Sequence, residues 1–210
     1  MDRILERNGS DIIAMTMMLY SLPRREASTE SLLVFPGLGE TWRLTQAIQC
    51  WDTVATAKYL LIAGHNQREK MWASLTLDTL TEPPFNLKRH KGVYVVSHAE
   101  HTKEQAQWVV EKIQELNISS LALFVSPYHL LRAYCTVLRM LIKHGIQIPM
   151  IPVPISIAPD TKIPEINASA WDMVQGEVER FSLYQEKDDV ATYDEFKKYI
   201  TWLWTQKLLQ

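Results

Sequence analysis

The sequence predicts an α/β domain in three layers, with a mostly parallel sheet of about five strands and helices on both of its faces. Three observations carry this. Five short runs rich in Val, Ile, Leu and aromatic residues stand about 30 residues apart, at Leu32 to Phe35, Tyr59 to Ala63, Val93 to Val96, Leu121 to Val125 and Met150 to Val153. The gaps hold segments of helical period, Thr41 to Ala57 and Lys103 to Asn117 among them, and parallel strands need crossovers of that length. Capping residues follow the strands, where helix starts need acceptors for orphan N–H groups. They are Asn66 with Glu69 three positions on, Thr102 with Gln105 in capping-box spacing, and Ser126 before Pro127.

The flanks read as helical. An opening helix at about 11 to 21 follows Ser10, and beyond Pro154 the prolines 159 and 164 mark a surface connection before two amphipathic helices, about 169 to 186 and 192 to 208. In the last of these, Phe196, Ile200, Leu203 and Trp204 recur at helical spacing as a core stripe, and Trp202 off the stripe leaves room for a homodimer contact. The expected organisation is one domain over 1–210, with a core at about 30–155 and a C-terminal extension at 168–209 packed on it.

Composition narrows the function. With 47% apolar and 22% charged residues the chain can bury a core, which excludes disorder as its main theme. Its 22 basic and 24 acidic residues give a net charge of −2, so no bulk field draws nucleic acid or an anionic membrane, and an anion must be held by local groups. No apolar run is long enough to cross a bilayer, and the N-terminus, with Asp2, Arg3, Glu6 and Arg7, has no signal-peptide pattern. Cys50 and Cys135 stand singly in apolar stretches, as thiols do in a reducing compartment. The expectation is a cytoplasmic protein with no membrane anchor.

In an open parallel sheet the ligand crevice lies beyond the carboxyl ends of the strands. The residues there are polar: Gly37, Leu38, Gly39 and Glu40 after the first run, Gly64, His65 and Asn66 after the second, Ser97, His98, Glu100, His101 and Thr102 after the third, Ser126, Tyr128, His129 and Arg132 after the fourth. Four of the six histidines fall in these segments. Gly37 and Gly39 either let backbone N–H groups approach an anion or form a tight turn. Trp42 breaks the full dinucleotide glycine pattern and the P-loop lysine is missing. His129, near a helix start, should be neutral, available as acid, base or hydrogen-bond partner, with Arg132 one turn on to grip a phosphate or carboxylate. His98 and His101, with His65 or His129 and with Glu100 or Glu40, have the types that bind a divalent metal. Substrate binding or plain loop placement is the alternative for the same histidines.

Three pieces of the stretch from Leu32 to about Pro154 resemble the YdcF/SanA/ElyC family, a bacterial domain of unknown function with a Rossmann-like fold. They are the glycine turn after the first strand, the helix start Thr102-Lys103-Glu104-Gln105-Ala106, and Ser126-Pro127-Tyr128-His129-Leu130-Leu131-Arg132-Ala133. The tail Tyr184 to Thr192 is also similar to that of soluble members, which usually carry glycine at the place of Asp188. Two positions depart from the family: Val96 or Ser97 stands where an acidic residue is usual, and His101 where asparagine is usual, with Glu100 a neighbouring carboxylate. The resemblance implies the soluble YdcF-like branch, with S-adenosylmethionine or a nucleotide-type compound as candidate ligand.

The expected function is therefore binding of a small anionic or nucleotide-like ligand at the strand carboxyl ends. Hydrolysis or group transfer on a phosphate- or glycan-bearing metabolite through His129, with or without a histidine-bound metal, is the enzymatic alternative. A non-catalytic interaction module using the Trp-rich C-terminal helix is a third.

Overall fold

The computed structural model describes residues 2–64, 70–72, 75–96, 99 and 101–210. Its centre is a five-stranded, all-parallel sheet in the order β3-β2-β1-β4-β5, formed by β1 (Ser31–Val34), β2 (Tyr59–Ile62), β3 (Val93–Val95), β4 (Leu121–Val125) and β5 (Met150–Pro154). The five expected runs are the five strands, each within a residue or so of its expected bounds. The helices are α1 (Asp2–Ser21), α2 (Thr41–Thr53), α3 (Leu77–Thr81), α4 (Thr102–Leu116), α5 (Leu130–Lys143), α6 (Ala170–Glu186) and α7 (Tyr193–Leu203).

Alternation along the buried strands divides the core. Leu32 and Val34 of β1, Leu60 and Ile62 of β2, and Ala122 and Phe124 of β4 pack with Leu44, Ala47, Ile48 and Trp51 of α2 and Leu80 of α3. Their neighbours Leu33, Leu61, Leu121, Leu123 and Val125 face the other way, onto the larger cluster that includes α1, α4, α5 and α7. A strand surrounded on both faces is apolar at nearly every position, which is why these strands read as near-continuous runs. The connections through α2 and α3 lie on one face and those through α4 and α5 on the other. The winding reverses after β3, when the chain returns to lay β4 beside β1.

Several local expectations shift. The opening helix starts at Asp2, not after Ser10, because Gly9 and Ser10 stand inside a helix that the preceding charged residues continue. The cap of α4 is His101, whose Nδ1 accepts from the Glu104 N–H at 3.4 Å. Thr102 is the first helical residue, and the amide of Gln105 donates to the Ala63 carbonyl at 2.7 Å. The capping frame is thus one residue earlier than the Thr102–Gln105 spacing suggests. Ser126 does precede Pro127, which opens a 3-10 turn over Pro127–His129, but its hydroxyl caps nothing. Asn66 and Glu69 lie outside the described residues.

The C-terminal helix α7 reaches the β5 edge through Tyr199. Pro152 and Pro154 have no N–H to offer, and the Met150 N–H donates to the Tyr199 hydroxyl at 2.9 Å, which in turn donates to the Ile148 carbonyl at 2.7 Å. Phe196, Ile200 and Leu203 form the buried stripe of α7, whereas Trp204, expected with them, lies beyond the end of the helix and is exposed. Trp202, the expected dimer contact, packs on Tyr199 with ring centroids 5.3 Å apart. Among the described residues no helix is long and apolar enough to cross a membrane.

Replacing Tyr199 by Phe leaves a buried N–H and a buried carbonyl without their partner. Urea denaturation should show a loss of about 1–3 kcal/mol with the slope unchanged.

Candidate functional site

In this strand order the point of reversal lies between β1 and β4, and the chain beyond their carboxyl ends builds the site. From β1 come Gly37 and the start of α2, with Glu40 and Arg43; from β4 come Ser126, Tyr128 and His129. Glu40, Arg43, Ser126 and His129 are all buried, Arg43 to 1% exposure.

Arg43 organises them. Its guanidinium has five N–H donors and no acceptor, and five oxygen or nitrogen acceptors surround it. Nε donates to Ser126 Oγ at 2.9 Å, Nη1 to the Phe35 carbonyl at 3.1 Å and to His129 Nδ1 at 3.1 Å, and Nη2 to the Tyr128 hydroxyl at 3.2 Å. Nη2 also lies 2.5 Å from Glu40 Oε2, in a pair three residues apart at the start of α2. The second Glu40 oxygen accepts from Ser126 Oγ at 2.6 Å and from the Tyr128 hydroxyl. Burial works against the Arg43 charge, and the Glu40 carboxylate together with Tyr128 more than restores it, so the net shift is upward. Burial also pushes the Tyr128 phenol up, which keeps its proton in place to donate.

Gly37 has φ +70°, and a Cβ there would lie 2.8 Å from Arg43 Cζ and closer still to the Glu40 carboxylate. The bare backbone therefore admits the ion pair, so the space the sequence offers to an anion is filled by the protein's own carboxylate. Gly39, at φ +72°, packs on Met71 and Pro164. Leu38 accepts from the Glu165 N–H at 3.4 Å, and the Glu165 carboxylate accepts from the N–H groups of Lys70 and Met71, both at 2.8 Å. These contacts tie the segment after β5 to the loops after β1 and β2. Gly64 is buried against Pro36 and Leu75.

A second cluster adjoins the first. Arg132 grips Glu177 of α6 through Nε at 2.6 Å and Nη2 at 3.0 Å, donates from Nη1 to Thr102 Oγ1 at 3.0 Å, and stacks 5.2 Å from the Tyr184 ring. The fork expected to hold a ligand anion is closed on Glu177, a buried internal carboxylate. Arg180 Nη1 donates to the same carboxylate at 2.8 Å, so two guanidinium groups share one acid.

His129 is the group left with something to offer. An arginine can only donate, so Nδ1 must accept, and the proton of the neutral ring stands on Nε2. That atom is buried, with no hydrogen-bond partner among the described residues. Burial holds the imidazole well below its ordinary range, with Arg132, Arg43 and Arg180 acting in the same direction. A base needs a free lone pair, and the only one faces Arg43; a neutral Nε2–H is a very weak acid. The arrangement makes His129 a fixed hydrogen-bond donor. Ser126, which donates to Glu40 and accepts from Arg43 and from Trp42 Nε1 at 3.1 Å, is equally committed.

The structure thus brings together Gly37, Ser126, Tyr128 and His129, joins Thr102 to Arg132, and turns His101 outward at 51% exposure toward Glu104. His65, Asn66, Ser97, His98 and Glu100 lie outside the described residues. Among the described residues no group of three or more His, Cys, Asp or Glu is placed to hold a metal ion. Arg43, Glu177 and Arg180 are absent from the sequence expectation. Arg43 had a visible signal, a charge on the apolar stripe of Leu44, Ala47, Ile48 and Trp51.

Breaking a buried ion pair on one side strands the other charge. Arg43→Met should cost about 3–5 kcal/mol in urea denaturation, and Arg43→Lys should not restore it, because an ammonium has three donors for five acceptors. His129 predicts a pH effect. Its folded pKa lies below the unfolded value of about 6.5, so its contribution is complete above that pH and is lost as the pH falls toward the folded pKa, at about 1.4 kcal/mol per pH unit. His129→Asn, which keeps an acceptor near Nδ1, should remove that part of the acid slope. No family model matches the chain, and neither a curated protein nor a solved structure matches it.

Proposed function

We propose that this protein binds a small ligand through an anionic or otherwise hydrogen-bond-accepting group at the junction of β1 and β4, with S-adenosylmethionine and nucleotides among the candidates. The observation that carries this is the Nε2–H of His129, which has no partner among the described residues. A buried donor without an acceptor costs about 1–3 kcal/mol, and a ligand oxygen removes that cost. The site's position supports the reading, since open α/β sheets take ligands where their winding reverses. Arg180, half exposed and sharing Glu177 with Arg132, adds positive charge near the same edge.

We also propose membership of the YdcF-like family. Asp188 supports it: the residue adopts φ +58°, a conformation that favours glycine, at the position where the family usually carries one. Cys50 and Cys135 are unpaired, in keeping with work in the cytoplasm.

The test is calorimetric titration and thermal unfolding with S-adenosylmethionine, nucleoside phosphates and inorganic phosphate. At 100 times its Kd a true ligand adds about 2.7 kcal/mol of stability, and His129→Asn should abolish that gain while the apo protein stays folded. A gain of equal size in the variant sinks the proposal, and so does the absence of a gain with all three probes and with simple carboxylates such as acetate and octanoate.

A further inference from the structure

Between α1 and α6 runs a slot of about 230 Å³ that ends at the functional site. Its floor is Ile12, Leu131 and Phe181, all buried, and its walls include Tyr20, Val174 and Val178, each more than two-fifths exposed. Scattered exposed apolar residues are ordinary, but here residues from two helices face one another across a concave space. The polar atoms of the walls are already engaged: the Thr16 hydroxyl donates to the Ile12 carbonyl at 2.7 Å, and the Tyr20 hydroxyl to the Pro127 carbonyl at 3.3 Å. At the inner end stand Tyr128, Arg132 and Glu177, adjoining the turn that carries His129.

We infer that this slot holds the hydrocarbon body of the ligand, and that the ligand is a monoanionic amphiphile of about eight carbons, such as a medium-chain carboxylate. The inference rests on the proposed function and narrows it. A nucleobase placed here would leave its polar edge without partners, at a cost of about 1–3 kcal/mol per buried group, whereas an alkyl or plain aryl body forfeits nothing. Size sets the length: a cavity of about 150 Å³ takes benzene, so this one accommodates roughly half as much carbon again. The tail of a bilayer lipid exceeds it, which commits the site to a ligand free in solution. The two guanidinium groups sharing Glu177 leave one positive charge in excess beside the inner end, and in the adjoining turn the His129 Nε2–H has no acceptor among the described residues; one negative charge answers both.

Titration calorimetry on the full chain with acetate, butanoate, hexanoate, octanoate and dodecanoate, and with 1-octanol, tests this. Affinity should rise about fourfold per methylene up to octanoate and then level off. Val178→Glu and Val174→Gln, both at half-exposed positions, should flatten that rise with little change in urea denaturation. Arg180→Gln and His129→Asn should weaken every carboxylate by a similar factor. Affinity independent of chain length, or a rise that survives both valine variants, overturns the slot. If acetate then still binds and His129→Asn abolishes it, the anion site stands without the slot. If 1-octanol binds as tightly as octanoate and neither Arg180→Gln nor His129→Asn matters, the apolar slot stands and the anionic reading beneath it falls.

Discussion

The whole upper rim of the sheet depends on the charge of Arg43 being completely satisfied. A guanidinium shut away from water is tolerable only when each N–H has an acceptor, and here the acceptors come from the residue after β1, from the cap residue of α2 and from the turn after β4. Two segments more than 80 residues apart are thereby held in one arrangement. The same requirement decides what each neighbour can do. Ser126 and Tyr128 become parts of the frame, Glu40 becomes the counter-ion, and His129 is fixed in the tautomer that points its proton away from the cation.

The winding of the chain explains why this network sits where it does. Two consecutive crossovers on one face carry the chain outward to β3, and the return to β4 moves the helices to the opposite face. The loops leaving β1 and β4 therefore diverge, one to each side, and a crevice opens between them. In this protein the crevice is filled at its base by the Glu40–Arg43 pair. What remains accessible lies toward α1 and α6, outside the sheet proper.

Strand positions were legible because burial on both faces writes an unbroken apolar run, a signal that needs no knowledge of partners. The helix frames were less so. Thr102 and Gln105 have the spacing of a capping box, but the Arg132 fork and the Ala63 carbonyl draw their side chains elsewhere, and His101 takes the cap. The site was legible in its location and in part of its membership. Gly37, Ser126, Tyr128 and His129 are brought together, while the roles of Arg132 and Gly37 depend on Glu177 and Glu40, whose approach is a matter of tertiary packing. Glu177 is distant in sequence and looks like any surface acid of an amphipathic helix, so nothing local could single it out.

The treatment of β5 has a consequence for assembly. A parallel sheet that stops at a free edge invites another chain to continue it, through domain swapping or fibril growth. Here an incoming strand would meet two ring nitrogens with no hydrogen at positions 152 and 154, and at Met150 a donor already claimed by a phenol. Composition thus works against self-association by strand pairing along that border.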